Sequence, residues 1–345
     1  MARLRSANIP VVLVRGNHDA ASSVTKALSL RLPDNVRELG HKKPESIELA
    51  GGAVVVHGQS FGQRATTDDL AVKYPDRRAG ALNIGILHTC LDGREGHEPY
   101  APTSIETLTS KGYDYWALGH VHAREILSKD PWIVFPGNLQ GRNIKETGPK
   151  GATLVTVTDG RITEVEHRAL DVVRWAIVEV DAGPANDEVE LLELVKSGIE
   201  ASARDADGRL LAVRLVLRGA TRANSTLRRD QERFINELRA SATDVLGDGV
   251  WLEKIKIETR STFDVASLQD DASAVGHLAR RLAQIKADEA ELAALAAELA
   301  ELDKKLPAEL REGDGALRLT EVATVRAFMD DVEQTLLSAL LEGDR

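Results

Sequence analysis

The chain has 345 residues, 43% of them hydrophobic and 28% charged, with a formal net charge of −10. That length buries a sizeable core and predicts two or three domains, and the composition excludes a disordered or fibrous chain. One cysteine, Cys90, excludes an internal disulfide framework, and no apolar run approaches the ~20 residues of a membrane helix. The six-residue apolar run ending before Arg15 is too short for a secretory signal of about 7–15 residues, so a cytoplasmic protein is expected. The charge is uneven: residues 265–345 hold 17 acidic and 9 basic side chains, a net of −8, and residues 1–264 carry only −2. Charge therefore neither requires nor forbids a nucleic-acid partner.

Residues 1–168 read as short strands alternating with turns. Apolar, β-branched runs at Pro10–Val14, Ala53–His57, Leu82–His88, Tyr113–Leu118, Trp132–Phe135 and Leu154–Val157 predict strands. Helices are predicted at Ala65–Tyr74 and Ser104–Lys111, the second with Ser104 as a cap. Over 169–262 the pattern predicts a small α+β domain. Its strands are Arg174–Val180, Arg209–Leu217 and Val250–Ile257, and its helices Asp187–Ala203 and Ser225–Leu246. This segment has no histidine, as expected of an accessory domain. Residues 263–345 are helical. Leu278, Leu282, Ile285, Leu292, Leu295, Leu299, Leu302 and Leu306 form a coiled-coil-like stripe, which needs either a partner or the chain's own body to cover it.

Three motifs follow predicted strands. Gly16-Asn17-His18-Asp19 offers an amide, an imidazole and a carboxylate in succession, after a glycine that lets the backbone turn. His88 ends the third run. In Gly119-His120-Val121-His122, histidines at i and i+2 of an extended strand end project to one side and can each present a nitrogen to a metal ion. A pair of ions about 3.5–4 Å apart polarises a phosphate and stabilises both attacking and leaving oxygens.

The order of these motifs resembles the second half of the calcineurin-like metallophosphoesterase signature. The match is closest to the SbcD-type DNA-repair exonucleases, in particular their YhaO-like branch. The stretches Gly96–Pro102, Tyr113–His122 and Phe135–Asn143 carry the resemblance over roughly residues 10–150. It implies a four-layer metallophosphoesterase α/β sandwich at 1–168, an α+β cap at 169–262 and a helical partner-binding tail at 263–345. It also implies Asn17, His88 and His120 as ligands of one metal and His122 of a second, with Mn²⁺ as the ion. His18 would be the catalytic histidine and Asp19 the carboxylate that orients it. His57 and His97 are expected in structural or DNA-contacting roles, and Arg142 and Lys145 as phosphate contacts. The implied partners are DNA and an SbcC-type coiled-coil ATPase docking on 265–345; a homodimer is compatible with the pattern.

The family's Asp-x-His and Gly-Asp-x-x-Asp motifs, which supply the bridging carboxylate, have no counterpart here. The expectation is therefore an N-terminally truncated DNA exonuclease or endonuclease subunit, inactive or impaired as written. The alternatives are a non-catalytic scaffold that binds DNA ends or the ATPase, and a small-molecule phosphodiesterase.

Overall fold

The structure, a computed structural model, describes residues 1–21, 32–63, 66–91, 100–311 and 316–343. The chain divides into two compact units, Met1–Trp175 and Ala176–Arg345. Among the described residues no helix is long and apolar enough to cross a membrane.

In the first unit, β1 (Val11–Leu13) pairs in parallel with β2 (Val36–Glu38). A larger mixed sheet contains β3 (Glu45–Leu49), β4 (Val54–Gly58), β5 (Leu82–His88), β6 (Tyr115–Gly119), β7 (Glu125–Lys129) and β8 (Trp132–Phe135), in the order β3-β4-β5-β6-β8-β7. Strands β4, β5, β6 and β8 run parallel, with antiparallel β3 and β7 at the edges. Buried parallel strands demand near-continuous apolar runs, which is why these strands are legible in the sequence. Trp116, Tyr113, Phe135, Leu108 and Ile133 lie in the core. Trp116 stacks on Tyr113 at 5.0 Å and its indole N–H donates to the Leu108 carbonyl at 3.1 Å. The hairpin β9 (Gly151–Thr158) and β10 (Arg161–Ala169) completes the unit.

Ser104 caps Ile105–Ser110 by accepting from the Thr107 amide. The helix expected over Ala65–Tyr74 does not form in its described part, where only a 3₁₀ turn, Ala71–Lys73, is present. The Asp69 carboxylate accepts from the Ala71 amide and so competes with a helical start.

In the second unit, β11 (Val173–Asp181), β12 (Leu210–Ala220) and β13 (Val250–Arg260) make a three-stranded sheet. Glu188–Asp205 is capped by Asp187. The single helix expected over Ser225–Leu246 is two, Asn224–Arg229 and Gln231–Leu246, because Asp230 leaves helical geometry and caps the second. The leucine stripe is likewise interrupted at Asp288, whose carboxylate accepts from the Ala290 and Glu291 amides and starts Glu289–Glu298. Leu282, Leu292 and Ala296 pack with Val325 and Met329 of the helix Val322–Gly343. The chain's own body covers most of that stripe, so it is not a surface awaiting a partner.

Candidate metal centre

Parallel strands β5 and β6 stand in register, with His88 opposite Gly119. Their carboxyl ends therefore deliver His88 and the Gly119–His122 turn to one place, where open α/β sheets commonly bind ligands. Asn17 opens a short helix, Asn17–Ala21, whose approach is fixed by the Phe61 amide donating to the Arg15 carbonyl at 2.9 Å. Gly16 has a reason beyond turning. A Cβ there would overlap the His88 ring, with Nδ1 at 2.5 Å and Nε2 at 2.7 Å. Only glycine lets the Asn17 backbone lie against that imidazole.

Asn17, His18, His88, His120, Val121, His122, Ala123, Gly137 and Glu146 line one cavity of about 460 Å³. The Asn17 Oδ1 lies 3.0 Å from His88 Nε2. The His88 and His120 rings meet edge to face at 5.2 Å. His120 has φ +106°, a region that side chains other than glycine rarely adopt, and backbone strain of this sort concentrates at functional sites. Burial, then the neighbouring charges of His120, His18 and His122, push the His88 pKa down to about 4. Its imidazole is neutral at pH 7, the form a metal requires.

His122 is held differently. Its Nδ1 lies 2.6 Å from Glu146 Oε1 and 3.1 Å from Arg142 Nη2. A carboxylate only accepts, so Nδ1–H is the donor of the short contact. Glu146 also accepts from the Arg142 amide at 2.8 Å and from Asn138 Nδ2 at 2.9 Å. Burial raises its pKa, but the bonds from the Arg142 amide, His122, the Arg142 side chain and Asn138 outweigh it and bring the value to about 2. Glu146 is the site residue that sequence reasoning missed. Its only signal was a carboxylate three residues past Asn143 in the Phe135–Asn143 stretch.

The remaining expected residues are scattered. His18 is exposed at the cavity, whereas Asp19 makes no hydrogen bond to it among the described residues. Consecutive helical side chains diverge, so Asp19 does not orient His18, and its field acts on Arg15 instead. His57 takes the structural of its two expected roles, in the core and not open to DNA: it is 2% exposed, its Nδ1 lies 2.8 Å from Ser46 Oγ and its Nε2 3.1 Å from Asn83 Oδ1. Tyr113 stacks on the ring at 4.5 Å. Arg142 reaches the site through His122, while Lys145 is exposed and does not line the cavity. His97 lies outside the described residues.

Asn17, His88 and His120 fit one divalent ion as three neutral donors, since the amide oxygen and an imidazole nitrogen already face each other. A paired centre does not fit: among the described residues no three His, Cys, Asp or Glu side chains are grouped to hold a metal.

Comparison with known proteins agrees with this chemistry. Residues 175–260 match the family described as metallophosphoesterase YhaO, middle domain. The uncharacterized metallophosphoesterase YhaO of Bacillus subtilis (strain 168) is 38% identical over 221 residues, 63% of this chain and 53% of that protein. The DNA double-strand break repair protein Mre11 of Sulfurisphaera tokodaii is 23% identical over 203 residues, 56% of this chain and 51% of that protein. The chain spans about half the length of these curated relatives. The matches support a metallophosphoesterase family, with which a mixed α/β chain of several sheets is consistent. That family uses divalent metals.

Proposed function

We propose that this chain is part of a metal-dependent phosphodiesterase acting on DNA, an exonuclease or endonuclease subunit of cytoplasmic DNA repair. The observation that carries the reading is the meeting of Asn17, His88, His120 and His122 around one cavity at the ends of β5 and β6. The ion proposed is Mn²⁺, held by Asn17, His88 and His120, because mixed imidazole and amide ligation suits it better than Mg²⁺. When bound, it supplies Lewis-acid polarisation of a phosphoryl oxygen. His18, exposed at the cavity, delivers a proton toward the leaving oxygen. Glu146 fixes the ring of His122, and the Arg142 guanidinium beside it attracts the phosphodiester. The three-part division at 168 and 262, and docking of a coiled-coil ATPase on 265–345, belong to the same proposal.

The lack of a grouped carboxylate ligand set among the described residues favours a second reading, a scaffold that binds DNA ends without cutting them. Calorimetry with Mn²⁺ and a nuclease assay on linear DNA separate the two. The hydrolase reading expects at most one loose ion, lost in His88→Ala, and weak EDTA-sensitive cleavage. DNA binding with no cleavage at any Mn²⁺ concentration decides for the scaffold.

A further inference from the structure

A group of charges adjoins the Gly119–His122 turn and plays no part in the chemistry above. Lys150, just before β9, is 9% exposed, and its ammonium makes one hydrogen bond among the described residues, to the His122 carbonyl at 3.4 Å. The Arg124 Nε is buried and has no hydrogen-bond partner among the described residues. His167 of β10 has both ring nitrogens buried with no hydrogen-bond partner among those residues. Asp171 is already engaged, with Oδ2 and Oδ1 each 3.0 Å from the Arg174 guanidinium.

The hairpin brings these groups together: Gly151, next to Lys150, pairs with Ala169, Thr153 pairs with His167, and Lys150 Nζ reaches the His122 carbonyl two residues before Arg124. Burial lowers the His167 pKa from 6.5; Arg124, Arg174 and Lys150 lower it further, and only Asp171 opposes. With Arg174 paired to Asp171, Arg124 and Lys150 are left beside the ring without a carboxylate of their own among the described residues. Taking cations from water without a counter-charge is costly, and an unsatisfied buried polar group calls for an explanation such as an ion. The donors are an Arg Nε–H, a Lys ammonium and an imidazole N–H. A tetrahedral oxyanion, with acceptors pointing in several directions, satisfies all three, and Arg and Lys are the usual phosphate donors.

We propose that Arg124, Lys150 and His167 form a binding site for a phosphate-class oxyanion, linked to the candidate metal centre through the His122 carbonyl. Its role rests on the hydrolase reading; its existence does not. The Asn138 amide also bonds that carbonyl, at 3.3 Å, so the turn keeps a tether when Lys150 moves to the anion. Two sources present the same chemistry: free phosphate, and a phosphate flanking the scissile bond of a nucleic-acid strand.

The test uses the 345-residue protein in EDTA, which keeps it apart from the metal centre. Melting is followed against inorganic phosphate, with sodium chloride at matched ionic strength as control. The expected result is a saturable rise in Tm with phosphate alone. Arg124→Gln and Lys150→Met should each weaken the apparent phosphate affinity at least roughly tenfold, the loss of a charge-assisted bond. His88→Ala should leave it unchanged. Competition by a short oligo-dT assigns the site to a strand phosphate, and no competition assigns it to free phosphate; both keep the site. No phosphate-specific rise, or an undiminished rise in Arg124→Gln, overturns it. If Lys150→Met does not fold, Arg124→Gln decides alone. Loss of the Mn²⁺ site with the phosphate effect intact would count against the hydrolase reading and not against this site.

Discussion

Replacing Gly16 by alanine tests whether the Asn17–His88 contact depends on a bare backbone. The added methyl meets the His88 ring, with Nδ1 at 2.5 Å and Nε2 at 2.7 Å, where ordinary contact begins near 3.4 Å. The ring or the turn must therefore give way by on the order of 1 Å, and overpacking of this size costs about 1–3 kcal/mol. Neither moves freely, since Phe61 packs at 5.2 Å against one side of His88 and its neighbour His120 is itself strained. The expected outcome is a protein that is destabilised by that amount and does not bind the proposed ion. The deciding assay is a double-mutant cycle by urea denaturation. In a His88→Ala background the methyl has room, so Gly16→Ala should cost little there, and the coupling should equal most of the 1–3 kcal/mol. If Gly16→Ala costs the same in both backgrounds, its effect comes from the backbone, and the close approach does not explain the glycine.

Leu292 is fully buried and Leu302 is 52% exposed, so Leu292→Ala should cost about 2–5 kcal/mol and Leu302→Ala less than about 0.5 in the same denaturation. Equal costs would mean that the helix Val322–Gly343 does not cover the stripe. Burial lowers the His57 pKa from 6.5 despite the opposing Asn83 bond, so the stability it contributes is complete above pH 6.5 and is lost as the pH falls through its folded value. His57→Gln should flatten the decline in stability between neutral pH and pH 5; an unchanged decline assigns the slope to other groups. Phe328, Val332, Leu336 and Leu340 recur every fourth residue on the exposed side of the final helix. Leu336→Glu should leave the melt unchanged and abolish capture of the coiled-coil ATPase, whereas retained capture moves the proposed docking face elsewhere.

What the sequence revealed follows from the range of each interaction. Strands β5, β6 and β8 could be read because burial of a parallel strand writes itself into consecutive residues. The Ile105–Ser110 helix could be read because its cap lies three residues from the amide it satisfies. Where a polar side chain competed locally, periodicity misled: Asp69 and Asp230 each interrupt a run whose spacing suited a longer helix. Periodicity also marked the leucine stripe correctly as apolar, but a period records only that a face is covered and not by what.

The site shows the same limit from the other side. Asn17, His88, His120 and His122 were legible because they sit at strand ends inside motifs. Glu146 was not, since it meets His122 across 24 residues, and no spacing rule encodes that contact. Yet Glu146 decides what His122 can do. Its carboxylate accepts the Nδ1–H bond and stays ionised down to about pH 2 through hydrogen bonds from the Arg142 amide, His122, the Arg142 side chain and Asn138. Removing the carboxylate would leave Arg142, 3.1 Å from Nδ1, as the remaining charged partner. An arginine can only donate, so Nδ1 would have to turn from donor to acceptor. The orientation of His122 thus depends on a residue outside every motif, and the role of one ring nitrogen is set by which neighbour meets it.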